Sequence, residues 1–384
     1  NLYHHIDENL LRESFLKLKR RSAAGYDGVT WFDYASSLDS NIQTLHRKLH
    51  QGSYKPKPAR QVFIPKEDGS ERGLSIICLE DKIVQQAMVQ VLNQIYETDF
   101  LGFSYGFRPE RGQHDALDAL HMAIMKRKVN WVLDLDISKF FDTVEHDWLI
   151  KFIEHRIGDK RIIRLIRQWI KVGTVDSHGH RQQSTIGTPQ GAVISPLLAN
   201  IYLHYSFDLW LNKQRKYARG NVTIIQKHQD SIDFQRALTQ RLLCFGLKVH
   251  PNKTKLIRFG RFAPEQYREN PSRGKPGTFD FLGFTHYIGK KLSGEVIVKR
   301  KTKRNRQITQ LKRIKQALRK RLHDKPWETG RWLRRVLQGH INYYGVPYNA
   351  HKIGQFVEEV KKLWLKSLRR RSQRHRMTWE RFKY

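Results

Sequence analysis

The chain has 384 residues and carries 71 Lys and Arg against 36 Asp and Glu, a formal net charge of +35. Charge of that size works against compaction and implies a polyanionic partner, because solubility alone needs far less. No apolar run approaches the roughly 20 residues of a membrane-spanning helix. Two widely separated cysteines, Cys78 and Cys244, in apolar sequence surroundings exclude a cysteine-rich zinc module and suggest a reducing compartment. Nucleic acid is the expected partner. The length points to two or three packed units, and 9 Trp, 15 Tyr and 19 Phe argue against disorder. The chain begins at Asn1 without a leader-like charged-then-apolar start, and is read as a trimmed or partial sequence.

In chain order, residues 8–21 have a helical pattern that ends at the Gly-rich turn Ala24-Gly25-Tyr26-Asp27-Gly28. Gln61-Val62-Phe63-Ile64-Pro65 and Gly73-Leu74-Ser75-Ile76-Ile77 predict a hairpin, with an Asp-Gly turn in its tip, Lys66-Glu67-Asp68-Gly69-Ser70. Lys66 and Arg72 flank that tip, where flexible cations can close over a triphosphate. Ile83, Val84, Ala87, Met88, Val91, Leu92 and Ile95 give residues 81–96 the apolar face of a helix.

Leu133-Asp134-Leu135-Asp136-Ile137 reads as a short buried strand delivering Asp136 to its end, with Phe140-Phe141 close behind. A lone acid among apolar neighbours is costly unless it takes a proton or a cation. The alternative is a strand-to-helix corner in which Asp136 or Asp142 caps a helix. Gly187-Thr188-Pro189-Gln190-Gly191 predicts a rigid corner whose glycines let the backbone pass close to a flat partner such as a base pair. Ser195-Pro196 then opens an apolar helix, with a capping Ser before a first-turn Pro. From about residue 303 the stripes Ile308-Leu311-Ile314-Leu318, Trp332-Leu333-Val336-Leu337-Ile341 and Phe356-Val357-Val360-Leu363-Trp364-Leu368 predict a small helical bundle with basic outer faces. The histidines are scattered, and His4-His5 and His178-Gly179-His180, too close or too lonely for a persuasive metal site, are read as surface residues.

Taken together, these segments resemble a reverse transcriptase of the kind encoded within group II introns. The matching stretches are Ala24–Gly28, Ile64-Pro65-Lys66 with Asp68-Gly69 and Arg72, Tyr105-Gly106-Phe107-Arg108-Pro109, Asp136-Ile137 with Phe140-Phe141-Asp142, and Gly187–Gly191 with Ser195–Asn200. Phe245-Gly246-Leu247 with Asn252-Lys253-Thr254-Lys255, Phe281-Leu282-Gly283-Phe284, and Gly339-His340 with Tyr343-Tyr344-Gly345 complete the series in the family's order. The family's C-terminal endonuclease motifs have no counterpart.

The resemblance implies an α+β right-hand polymerase followed by an α-helical thumb. Fingers and the start of the palm fall in 1–130, the palm in 131–295 with a fingers-contacting segment near 150–190, and the thumb or maturase region in 296–384. It implies that Asp136 and the backbone carbonyl of Ile137 hold Mg²⁺ in a two-metal site. Lys66, Arg72, Phe141 and Gln190 would meet the nucleotide, Phe141 rejecting a 2′-hydroxyl by size. Arg108, Gly187, Pro189, Gly191, Lys253, Phe281, Leu282 and Gly283 would meet template or primer. Lys312, Arg313, Arg319, Arg369, Arg370 and Arg371 would bind RNA from the thumb. The implied partners are intron RNA, an RNA template with a DNA primer, dNTPs and target DNA, in a bacterial cytoplasm or an organellar matrix, as monomer or dimer.

One part of the family pattern is missing. Two further carboxylates, in a Tyr-Ala-Asp-Asp box, belong beside Asp136, and Tyr217-Ala218-Arg219-Gly220 has a cation and a glycine where the acids should be. Either the box has changed to Arg219-Gly220, leaving a polymerase-inactive RNA-binding maturase, or a block is absent between Ile225 and Gln226. The second reading is favoured. It removes about ten residues, the turn and most of the second strand of a hairpin. Asp230 and Asp233 match helix-cap and helix-surface positions and are rejected as substitutes.

Overall fold

The computed structural model describes residues 2–65, 71–126, 129–176, 178–217, 228–264, 276–371 and 377–383. The fold is α+β. Its strands are β1 (Ala59–Pro65), β2 (Glu71–Ile76), β3 (Trp131–Asp134), β4 (Thr174–Val175), β5 (Arg181–Gln182), β6 (Lys255–Arg258), β7 (Phe279–Phe281), β8 (Phe284–Lys290) and β9 (Val296–Thr302). The chain packs as two units: Asn1–Ala116, Leu135–Thr223 and Ile232–Thr254 form the first, and Leu117–Asp134, Ile224–Ser231 and Lys255–Tyr384 form the second.

In the first unit, Asp7 caps the helix Glu8–Lys17 by accepting the Leu10 amide at 2.7 Å. That helix ends at Lys17, before the run to residue 21 that the sequence suggested. Leu11 and Phe15 pack in a core with Ile42, Leu45 and Leu49 of Leu38–His50, and with Ile83, Val84, Ala87 and Met88 of Leu79–Asp99. The three- to four-residue spacing places each set on one helix face. β1 and β2 form the expected hairpin, Pro65 opposite Glu71 and Ile64 opposite Arg72, and the sheet extends in the order β2-β1-β4-β5.

The apolar helix begins one residue differently from the sequence reading. Ile194 is its N-cap and Ser195 its first residue, and the Ser195 hydroxyl donates to the Pro189 carbonyl at 2.9 Å instead of capping. Ser195–Leu203 widens into a π-helical turn, His204–Asp208, and continues as Leu209–Tyr217. A π turn frees carbonyls from the regular ladder. Arg241 answers them, donating from Nε to Ser206 O at 2.9 Å and from Nη2 to Tyr205 O at 3.3 Å. Cys244 is exposed, contrary to its apolar sequence surroundings, in the turn that follows the helix His228–Leu243.

In the second unit β3 pairs antiparallel with β6, and β7-β8-β9 form an antiparallel sheet. Leu282 (φ 47°) and Gly283 (φ 79°) make the two-residue turn between β7 and β8, both left-handed as a type I′ turn requires. The three expected C-terminal helices, Arg304–Lys320, Pro326–Tyr344 and Ala350–Arg369, pack through Ile314, Leu318, Leu333, Phe356 and Val360. The His340 ring stacks on Phe356 with centroids 3.7 Å apart, and burial pushes its pKa down to about 4. Buried Asn349 ties β9 to these helices: its Oδ1 accepts from Thr302 N, and its Nδ2 donates to Thr302 Oγ1 and Tyr344 O, each at 2.9 Å.

Candidate nucleotide and nucleic-acid site

β3 ends at Asp134, so Asp136 stands two residues beyond the strand. Its segment is held by a bridge between Ile137 and Val249, by Ser138 N donating to Lys248 O at 2.8 Å, and by His250 N donating to Asp136 O at 2.7 Å. The turn that follows this paired segment brings Lys253 Nζ to 3.2 Å from Asp136 Oδ2. The expected buried acid is therefore a 47% exposed carboxylate facing an ammonium group that is itself 64% exposed. It caps nothing: the short helix Phe140–Thr143 follows Lys139, which is left-handed at φ 45°, and has no side-chain cap. Asp142 lies in that helix's first turn and accepts from Gln190 Nε2 at 2.9 Å.

Next to this helix, the first unit contains a cleft of ≈ 350 Å³, lined by Gln61 and Phe63 of β1, by Phe141 and Asp142, and by Ile186 to Gln190 of the glycine-rich corner. The corner is fixed through its backbone. Thr188 N donates to Phe141 O at 2.7 Å, Gly187 N to Val144 O at 2.8 Å, and Ser75 N to Gln190 O at 2.7 Å. A Cβ on Gly187 (φ 85°) would lie 2.8 Å from Phe141 O, and one on Gly191 (φ 110°) 2.7 Å from Ser75 O. The close approach that these glycines permit in this structure is to the chain's own backbone.

Two residues that sequence reasoning passed over help to hold this corner. His146 Nε2 donates to Gly187 O at 2.6 Å, and burial lowers its pKa against the raising effect of that bond, so a neutral ring with its proton on Nε2 fits the site. Buried Gln85 accepts the Val193 amide through Oε1 at 3.0 Å. Neither residue stands in a motif, and only tertiary pairing reveals them.

The other expected residues are dispersed. Arg108, expected on template, is turned inward with its side chain 3% exposed. Its guanidinium grips Glu97 through Nε and Nη2, the latter at 2.8 Å, and donates from Nη1 to Leu101 O at 2.8 Å and Ser104 O at 3.0 Å. It braces its own loop: four of its five N–H donors are already used inside the fold. Phe281, Leu282 and Gly283 lie in the second unit, where Tyr343 Oη donates to Leu282 O at 3.1 Å. Lys312, Arg313, Arg319, Arg370 and Arg371 are exposed, while Arg369 Nε donates to Met377 O at 2.9 Å. Lys66, the Arg72 side chain, the Arg219-Gly220 pair and the Ile225–Gln226 junction lie outside the described residues.

Mg²⁺ takes oxygen ligands, usually one or two carboxylates together with substrate phosphates. One carboxylate already facing an ammonium is a poor donor set, and residues 218–227 contain no Asp or Glu. No group of three or more His, Cys, Asp or Glu suited to a metal occurs among the described residues. The residues present do not fit the two-metal site that the resemblance implied. Nor is any helix among the described residues long and apolar enough to cross a membrane.

The hairpin strands, Phe141 with Asp142, and the glycine corner thus line one cleft, with Asp136 on the segment that precedes Phe141. Residues 64–286 match the reverse transcriptase (RNA-dependent DNA polymerase) family, and the chain belongs to it. Among curated proteins it is 41% identical over 202 residues to protein YkfC of Escherichia coli, covering 52% of this chain and 52% of that one. It is 35% identical over 185 residues to the group II intron-encoded protein LtrA of Lactococcus lactis, covering 47% and 30%. It is 32% identical over 218 residues to the putative COX1/OXI3 intron 2 protein of Saccharomyces cerevisiae, covering 55% and 25%. These relatives bear out the resemblance to group II intron reverse transcriptases, although the chain spans only a quarter to a half of their lengths.

Proposed function

We propose that this chain is the RNA- and nucleotide-binding body of a group II intron-type reverse transcriptase, and that a polypeptide of this sequence makes little or no DNA. The cleft beside Phe141 carries the reading, because Phe63, Phe141 and the braced Gln190 give a nucleotide an apolar wall and a fixed polar contact in one place. In this assignment Phe141 lies under the incoming sugar and excludes a 2′-hydroxyl, Gln190 meets the nucleotide or template, and Lys66 and Arg72 meet its phosphates. Phe281-Leu282-Gly283 grips the primer end, and the C-terminal helices bind intron RNA through their exposed Lys and Arg. The Asp136–Lys253 pair supports a second reading, a polymerase-inactive RNA-binding splicing factor, because the ammonium neutralises the acid without a metal.

Primer extension on an RNA template with a DNA primer, dNTPs and Mg²⁺ tests the proposal, run beside filter binding of the same RNA. The expected result is RNA retention with little or no extension. Insertion of a Tyr-Ala-Asp-Asp hairpin between Ile225 and Gln226 should restore extension. Robust synthesis by the unaltered chain would overturn the requirement for the missing acids, and failure to retain RNA would overturn the proposal as a whole.

A further inference from the structure

We propose that Phe107 is a stacking platform for an unpaired nucleobase of single-stranded RNA. The proposal rests on the nucleic-acid reading above and adds a contact to it. Phe107 is 73% exposed and makes no ring contact among the described residues. A single exposed hydrophobe is ordinary. Its backbone is not: φ is 56°, a left-handed conformation that L-residues avoid and that is an outlier for a bulky side chain. Glu110, three residues on, shares the same φ of 56°.

Such conformations persist only where the surroundings over-determine them. Here they do. Arg108, the next residue, locks the loop from inside through Glu97 and two carbonyls, and Asn200 Nδ2 donates to Gly106 O at 2.8 Å from the other side. The loop is thus pinned on both flanks of Phe107 while the ring itself stands in solvent. Holding an aromatic outward against its backbone preference gains no packing, so the fold derives no evident benefit from it. A ring pre-set in water is what a base needs, since stacking on aromatics is tolerant of sequence and requires only an open face.

The neighbours fit a polyanion. Arg111, four residues along the chain, lies with its guanidinium carbon 5.4 Å from the Tyr105 ring centroid and donates to Gly102 O at 2.7 Å, a cation on the same loop for a phosphate of the bound strand. A protein partner could also cover one exposed ring. It has less claim here, because the net charge of +35 and the adjacent arginine select an anion.

The test measures binding of a short fluorescent single-stranded RNA by anisotropy, with the whole chain and three variants, beside their melting temperatures. Phe107→Ala should weaken binding roughly 5- to 150-fold, the range expected for one base on one ring. Phe107→Trp should retain it. Phe107→Gly is the decisive variant: glycine takes a positive φ freely, so its melting temperature should stay the same or rise while binding falls as in the alanine variant. Cross-linking of a 5-iodouridine RNA should mark the peptide that contains Phe107. If the wild-type chain binds RNA and all three variants bind it equally well, the platform is refuted and the wider reading stands. If Phe107→Gly melts lower, the ring is structural and the inference fails. If the wild-type chain does not bind RNA, both readings fail.

Discussion

Replacing Arg108 by alanine tests whether this residue braces the fold or reads a template. The guanidinium makes a charge-assisted grip on Glu97 and satisfies two loop carbonyls from a position only 3% exposed. Breaking a buried pair by removing one partner costs about 3–5 kcal/mol. Glu97 is 26% exposed and can regain water when its partner goes, so the lower end, about 3 kcal/mol, is expected. For a unit of this size that corresponds to a fall in melting temperature of roughly 6–12 °C. Differential scanning calorimetry and urea unfolding would read it. Arg108→Lys should fall between, because one ammonium cannot reproduce the planar fork. Glu97→Gln combined with Arg108→Met should recover part of the loss, since no charge is then stranded. An unchanged melting temperature with reduced RNA affinity in Arg108→Ala would refute the inward role.

A buried carboxyl, a strained glycine and the basic helices each supply a further test. Asp208 is buried, and desolvation, opposed by Arg108, raises its pKa to about 7. The native state therefore holds that proton more tightly than the unfolded chain, and the charged form costs stability increasingly as pH rises from about 4 to 7. Asp208→Asn should stabilise by a few kcal/mol at pH 8, less at pH 5, and not at all below about pH 4, as thermal melts across pH would show. Gly187→Ala puts a Cβ 2.8 Å from Phe141 O at a φ of 85° and should weaken nucleotide binding by calorimetry more than Gly179→Ala, whose Cβ meets nothing within 4 Å at a similar φ of 86°. RNA affinity should fall steeply with salt, and Lys312→Glu or Arg313→Glu should flatten the logarithmic slope by about 0.7 for each phosphate left without its cation.

Much of the architecture was legible because local pattern and tertiary need agreed. Val62, Phe63 and Ile64 suit a strand, and the apolar stripes at 308–318, 332–341 and 356–368 became the packed helices whose core is Ile314, Leu333 and Phe356. What stayed hidden depends on partners far along the chain. Asp136 meets Lys253 across 117 positions, a distance that no spacing rule reaches. Arg108 looked like a free cation in a Gly- and Pro-containing loop, and its partner Glu97 belongs to the preceding helix. The roles of His146 and Gln85 are set by carbonyl and amide groups, which carry no side-chain signature.

The wide turn at His204–Asp208 fixes an angle as well as a set of hydrogen bonds. A π turn holds one more residue than the α-helical turn it replaces. Deleting one residue there would leave the phase unchanged, whereas rewinding the same residues as regular α, with none deleted, would rotate everything after them by about 100°. Leu209–Tyr217 would swing with that rotation, carrying Trp210 away from Phe234, whose ring now lies 5.8 Å off. The wide turn thus works as an indexing step, setting which face of the following helix turns inward without any change in that helix's own sequence.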